Sequence, residues 1–459
     1  MTHPTQNPAS EIPATIPALI VGAGPVGLTL SLLLSQRGID HHVVEKHPGV
    51  SRHPKARGIS SSTMEIFRRL GLEAEIRAAA LPASHVAFFR GASLADPDAV
   101  VTRQPEPAAS PTPSPGVICS QDTLEGILLG AARARHPRGA VGITCDARLT
   151  SISLDDGKAG ATVLAASGTH AVSARTLIGC DGADSTVREL AGIGLEGEQG
   201  VAHYRSVRFW APLGELIRGR EAASYFLTGP EGGGFLAIDN DRDWILQVPI
   251  DRAAPDEDAD ALVARVRRAS GVPSLPVTLQ HTLVWRMDAA IAEYFSRGNV
   301  VLAGDAAHQI PPTGGHGMNL GIADAEALAW RISEGEDALA DYASERRRVA
   351  RAVLGISLDN SRRAYAMDEH LLLRTDLCGE HAFPAATDNP AVRVGARLPH
   401  AWLADGETST LDLLGAGWTL LGDDLGGVLI PHGFPAGGSV LVRPDGVIAE
   451  VRDAGARPS

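Results

Sequence analysis

Short apolar runs bounded by glycine alternate with stretches of helical periodicity along the first part of the chain. Residues 17–21 (PALIV) read as a buried strand, 28–37 (LTLSLLLSQR) as a helix closed by Gly38, and 41–45 (HHVVE) as a second strand. An amphipathic helix is predicted through Met64, Ile66, Phe67 and Leu70, entered at Ser62 or Thr63, and another over 124–135. From 81 to 116 the periodicity fails and prolines accumulate, which predicts a long extended or mobile insertion reaching toward a second layer. Strand-like alternation returns over 141–177. Runs at 204–210, 223–228, 234–238 and 244–250 then follow one another without intervening helices, and a charged segment, 251–270, has helical character. That grouping predicts a separate, mostly antiparallel sheet. Residues 299–303 (NVVLA) are a last buried strand, and helices are expected over 321–375. Beyond a linker at Asp388-Asn389-Pro390, short strands at 418–421 and 439–442 and a turn at Pro444-Asp445-Gly446 mark a small final unit.

The pattern divides the chain into a disordered lead-in (1–16), a dinucleotide-binding domain in two parts (17–195 and 291–387), a sheet domain (196–290) and a terminal domain (388–459). With 44% hydrophobic residues in 459, several cores can be buried. A net charge of −13 disfavours nucleic acid and acidic membranes as partners. The apolar runs are too short to span a bilayer, and residues 1–16 have neither the basic start nor the apolar core of a signal peptide. Cys119, Cys145, Cys180 and Cys378 are far apart, which fits a reduced, cytoplasmic chain without disulfides or a metal site.

Three junctions carry the chemistry, and each joins a strand, an acid, glycine and a helix. In the first, Gly22-Ala23-Gly24-Pro25-Val26-Gly27 follows a strand and opens a helix, and Glu45 ends the next strand. The glycines allow a tight turn, close approach of a pyrophosphate and helix–strand packing, while the acid accepts from ribose hydroxyls. Glu45 also disfavours a 2′-phosphate, so the dinucleotide held here is not NADP. In the second, Asp181-Gly182 follows residues 176–180, with Arg188 one helical turn on. The third is the longest: Gly304-Asp305-Ala306-Ala307-His308, then Pro311-Pro312-Thr313-Gly314-Gly315-His316-Gly317-Met318-Asn319, then a helix. Its glycines bring main chain to a ligand, and the helix N-terminus offers free amides and partial positive charge. Lys55 and Arg57 read either as phosphate contacts or as solvated basic residues of a surface loop. Trp244 and Trp285 default to core positions.

These motifs in this order resemble the group A flavoprotein monooxygenases, the para-hydroxybenzoate hydroxylase-like family, and within it the aromatic polyketide hydroxylases. The resemblance covers about 17–330 and rests on GAGPVG with Glu45, CDGADSTVR at 180–188 and GDAAHQIPPTGGHGMNLGIADA at 304–325. It implies an α/β fold: a Rossmann-like FAD-binding domain, a mixed β-sheet substrate domain and a small thioredoxin-like C-terminal domain, here without a cysteine pair and so structural. It implies that Gly22, Gly24, Pro25, Val26, Gly27 and Glu45 hold the adenosine and pyrophosphate of FAD. Lys55 or Arg57 then lies near the pyrophosphate, Gln121 contacts the ribityl region, and Asp181, Gly182 and Arg188 belong to a motif shared with nicotinamide recognition. Gly304 and Asp305 meet the ribityl chain, Pro312 lies beside the isoalloxazine, and Gly315, Gly317, Met318 and Asn319 present a helix start to its N1–C2=O edge. NADPH or NADH is a transient co-substrate, since the family has no second dinucleotide-binding domain for it. By this resemblance dioxygen adds at the flavin C4a, and the hydroperoxide hydroxylates a large apolar or polycyclic substrate, in a monomer or homodimer. Tyr225 is a candidate base, and His308 is assigned a structural role. A non-redox cyclase that keeps FAD, or a flavin-binding module without catalysis, would carry the same motifs.

Overall fold

Strands covered on both faces need no polar alternation, and the continuous apolar runs form such a sheet. In a computed structural model of the chain, residues 12–51, 55–103, 112–135, 142–155, 157–253, 256–365, 392–422, 434 and 437–452 are described. Strands β1 (Thr15–Val21), β2 (His41–Val44), β3 (Gly168–Gly179) and β4 (Val300–Leu302) pair in parallel in the order β4-β3-β1-β2. Gly142–Thr144 extends the sheet beyond β2, and the strands Arg148–Asp155 and Lys158–Ala165 fold back antiparallel beside β3. The lead-in is shorter than expected: β1 begins at Thr15 and Ile12 is already buried, because both add apolar area to the core.

Helices that flank this sheet or lie at its edge include α1 (Pro25–Gln36), α2 (Ser61–Arg69), α3 (Gln121–Ala134), α4 (Thr186–Leu190), α5 (His316–Arg331) and α6 (Glu336–Tyr365). Ala18 and Ile20 of β1 pack with Leu28, Leu32, Phe67, Leu124 and Leu328 on one face. Leu19 and Val21, one residue out of phase, pack with Val187 of α4 and Val349 and Val353 of α6 on the other.

The second sheet runs in the order His308–Gln309, Thr278–Ala292, Leu195–Trp210, Asp243–Ile250, Gly234–Ala237, Ser224–Leu227, Ala87–Gly91, Val100–Arg103. It is antiparallel except where Ala87–Gly91 pairs in parallel with Ser224–Leu227. The stretch expected to be an extended insertion therefore supplies two strands, with Phe89 in a core of Phe209, Tyr225, Phe235, Trp244 and Val266. Residues 104–111, with Pro105, Pro107 and Pro111, lie outside the described residues, as does the predicted linker at 388–390.

From residue 392 on, Thr419–Leu421, Ser439–Val442 and Ile448–Arg452 form an antiparallel sheet over Leu398, Leu411, Val440 and Ile448. Buried polar contacts fasten this unit to the first. Asp445 Oδ2 accepts from Trp330 Nε1 at 3.1 Å, and Arg443 bridges Glu345 at 2.8 and 3.0 Å. Glu345 also pairs with Arg331, Glu65 with Arg397, and Asp412 with Arg68. No described helix is long and apolar enough to cross a membrane.

Asp445 is fully buried and serves both the Trp330 indole and Arg443. Asp445→Ala takes the acceptor from the buried Trp330 indole and leaves Arg443 paired with Glu345, and is expected to destabilise the terminal unit by about 1–3 kcal/mol. Urea unfolding followed by tryptophan fluorescence checks this through the shift in midpoint.

Candidate active site

Parallel pairing puts the carboxyl ends of β4, β3, β1 and β2 along one edge of the first sheet. Asp305, Asp181 and Glu45 follow β4, β3 and β2, while the glycine turn follows β1. Each of the three acids is engaged differently. Glu45 accepts the Ala23 amide at 2.8 Å and the His47 amide at 2.9 Å, latching the glycine turn with lone pairs to spare. Asp181 accepts the Ser185 hydroxyl at 2.5 Å and the Val187 amide at 3.1 Å, which holds the start of α4, and burial raises its pKa. Asp305 opens onto solvent but is ringed by protein, and lost solvation lifts its carboxyl above the usual range against the pull of Lys55.

The glycines of the first junction answer to different demands. Gly22 has φ +107°, and a Cβ there would stand 2.4 Å from Cys180 O; one on Gly27 would stand 2.0 Å from Gly22 O. Both are required by the protein's own packing. Gly24 is not: its φ is −76°, and a Cβ would meet nothing within 4 Å. Its lack of a side chain clears space in front of the α1 amides. Helices α1 and α5 both start on glycine, Gly24 and Gly315, with no side-chain cap, whereas α2 and α4 are capped by Ser60 and Ser185. Two uncapped helix starts beside open glycines make a cradle for an anionic ligand. The residues at this edge fit a dinucleotide: amides for a pyrophosphate and an acid for a ribose.

The other expected residues gather here or are held elsewhere. Pro25, Val26, Gly182, Gly304, Pro312, Gly317 and Met318 belong to the turns and helix starts of this edge, and Pro312 is exposed. Arg188 donates to Ala306 O at 3.1 Å, so it braces the turn that carries Asp305. Gln121 accepts the Ala56 amide at 3.1 Å and donates to Glu125, shaping the loop that presents exposed Lys55. The Asn319 side chain bridges Ser60 N, Gly58 O and Gly315 O, which leaves main chain as its means of facing a ligand. Arg57 does not stand as a phosphate contact. It donates to Ala223 O and Ala237 O at 2.8 Å and to Ser224 Oγ, tying the loop to the second sheet, and desolvation brings its pKa down to about 10.

Tyr225 is not placed to act as a base. Its ring is fully buried between Phe89 and Trp244, and its hydroxyl donates to Asn240 and accepts from the Ala222 amide. Burial pushes the phenol above its ordinary range, away from the easy ionisation a base needs. Trp244 is core; Trp285 is half-buried and stacks on Tyr204 with centroids 4.7 Å apart. Sequence reasoning missed two fully buried residues: Asp324, the partner of His308, and Arg346, which bonds Asp324 in turn. The available signal was an acid amid the apolar positions of α5.

The two glycines predict contrasting stabilities for the apoprotein. Gly27→Ala should cost about 3 kcal/mol or more through backbone overlap, and Gly24→Ala under about 1 kcal/mol. Thermal melts of the two variants check the difference.

Residues 15–357 match the family described as the FAD binding domain. The tetracenomycin A2 monooxygenase-dioxygenase of Streptomyces glaucescens is 33% identical over 503 residues, covering 94% of this chain and 89% of that protein. An aklavinone-11 hydroxylase, solved as a ternary complex with FAD and aklavinone, matches with a TM-score of 0.85 at 29% identity over 96% of both chains. The rebeccamycin biosynthetic enzyme RebC, in its substrate-free form, gives 0.83 at 29% identity over 98% of both chains. With a carboxyl edge built for a dinucleotide and likeness running nearly end to end, the chain belongs to the FAD-binding family and is a group A flavin-dependent monooxygenase of the aromatic polyketide hydroxylase type.

Proposed function

We propose that this enzyme hydroxylates a polycyclic, polyketide-type substrate with NAD(P)H and dioxygen, using FAD laid along the carboxyl edge of the first sheet. The observation that carries the reading is Gly24, a glycine required by neither backbone nor packing, set before an uncapped helix. In this reading Gly22–Gly27 and the α1 amides hold the pyrophosphate, with Lys55 as the nearby cation, and Glu45 holds the adenosine ribose. Gln121, Asp305 and the Asp181–Gly182 turn line the ribityl path, with Arg188 and Gly304 shaping it. FAD supplies the acceptance of hydride from NAD(P)H and the activation of dioxygen. The chain supplies charge stabilisation: amides at Gly315, Gly317, Met318 and Asn319, at the positive end of α5, face the ring edge where negative charge collects on reduction, beside Pro312.

The second sheet supplies the substrate wall. Arg57 bonds Ser224 and Arg208 bonds Asp122 at the start of α3, so the face bearing Ser224 and Arg208 turns toward the first domain. In register on that face lie Phe226, Gln247, Ser206, Leu283, Tyr204 and Trp285. Phe226, Tyr204, Trp285 and Leu283 on this face, interspersed with Gln247, Ser206, Ser224 and Arg208, suit a large fused-ring substrate that carries polar substituents. The name of the tetracenomycin relative and the aklavinone in the neighbouring structure support that substrate class.

Anaerobic titration with NADPH and then NADH, with and without polycyclic phenols, followed by admission of air and mass spectrometry, tests the reading. Bleaching of the flavin and a product heavier by one oxygen are expected. A product isomeric with its substrate, formed without flavin reduction, would instead identify a cyclase.

Asp305→Asn separates affinity from stability. A carboxyl whose pKa is raised on folding makes the folded state less stable as pH rises from the unfolded value, near 4, through the folded one. The variant apoprotein is therefore expected to be at least as stable as the parent at neutral pH, yet to bind FAD at least about tenfold more weakly, or 1.4 kcal/mol. Melting curves at several pH values and flavin fluorescence titration measure the two effects.

A further inference from the structure

A single carboxylate oxygen closes the turn that carries Asp305. Asp324 Oδ2 accepts the Gly304 amide at 3.1 Å and His308 Nε2–H at 2.6 Å, so the residues flanking the turn hang on one atom. The other oxygen, Oδ1, accepts Arg346 Nε at 2.6 Å. His308 and Asp324 are wholly buried and Arg346 is 1% exposed. His308 Nδ1 is buried and meets no hydrogen-bond partner. Facing a carboxylate, Nε2 carries a proton and donates it to Asp324.

Asp324 lies on α5, the helix whose first turn belongs to the candidate site. Gly317 in that first turn approaches Asp305 closely enough that a Cβ on it would stand 3.9 Å from Asp305 Oδ1. Farther along, Gly321 packs against the same turn, with its Cβ position 2.9 Å from Gly304 Cα. The contact through Asp324 thus sets how far the Asp305 carboxylate stands from the helix start.

We propose that His308, Asp324 and Arg346 form a positioning network that fixes the spacing between Asp305 and the first turn of α5, and through it the affinity for FAD. This rests on the reading that those two groups meet the cofactor. Arg346 anchors Asp324, Asp324 holds both ends of the turn, and His308 serves as a donor of fixed reach.

The test compares His308→Gln with His308→Asn. The glutamine amide nitrogen reaches the place of Nε2, whereas the asparagine amide stops near Nδ1, short of Asp324. Apoprotein titrated with FAD should show His308→Gln within about threefold of the parent and His308→Asn at least about tenfold weaker, as expected when a binding group is misplaced. Visible circular dichroism of the bound flavin should change only in His308→Asn, and the two apoproteins should melt within a few degrees of each other. Equal affinities would overturn the proposal, and so would losses in both variants that follow melting temperature alone. Amide exchange at Gly304 in the parent apoprotein gives a measurement independent of any variant: protection comparable to β4 is expected, and rapid exchange would overturn the network. A parent protein that takes up no FAD would defeat the cofactor reading itself, an outcome distinct from equal affinity among variants.

Discussion

The close passage of α1 between β3 and α5 is the constraint on which the rest of the site depends. Gly22 leaves no room between its Cα and the Cys180 carbonyl, Gly27 none beside Gly22, and Gly321 none beside Val26 and Gly304. These contacts stack the three ligand-facing turns at backbone distance. A side chain inserted into the stack would move one helix start relative to the others, and the amides of α1 and α5 would no longer converge. Packing at this density transmits displacement because interiors have few voids to absorb it.

Charge adds a second layer of constraint. Asp181 and Asp305 are carboxylates lifted by desolvation at the edge itself, while Asp324, deeper in, is held below its ordinary range because His308 and Arg346 together outweigh its burial. Groups destabilised in the apoprotein thus face outward, toward partners a ligand brings, and the satisfied one lies behind them. The division fits a site that gains stability on loading.

Much of the first domain was legible because burial on both faces leaves a clear mark: 17–21 and 300–303 are unbroken apolar runs followed by glycine, and Val43-Val44 runs into Glu45. The second sheet was less so. One of its two long strands, Thr278–Ala292, exposes most of its first half, and Ala87–Gly91 is short and stands among small and polar residues. The roles of Arg57 and Tyr225 depend on partners the local sequence does not display: Ala223 and Ala237 lie 166 and 180 residues from Arg57. Sequence reasoning placed each residue in a plausible neighbourhood, but only tertiary contact decides what a polar side chain is bonded to. Asp324 shows the converse, since an acid in the buried stretch of a helix demands a partner even when its identity is hidden.

The strand order of the first sheet carries a consequence for synthesis. Its centre joins β1, made first, to β3 and then to β4, which ends at Leu302, about two-thirds of the way along the chain. At ~5–20 residues per second, β1 waits on the order of 15–60 seconds for its outer parallel neighbour. Throughout that interval the nascent βαβ unit has one apolar flank and one strand edge without their final cover. The turn bearing Asp305 and the start of α5 emerge just after β4, so the cradle is complete only once more than two-thirds of the 459 residues have been made.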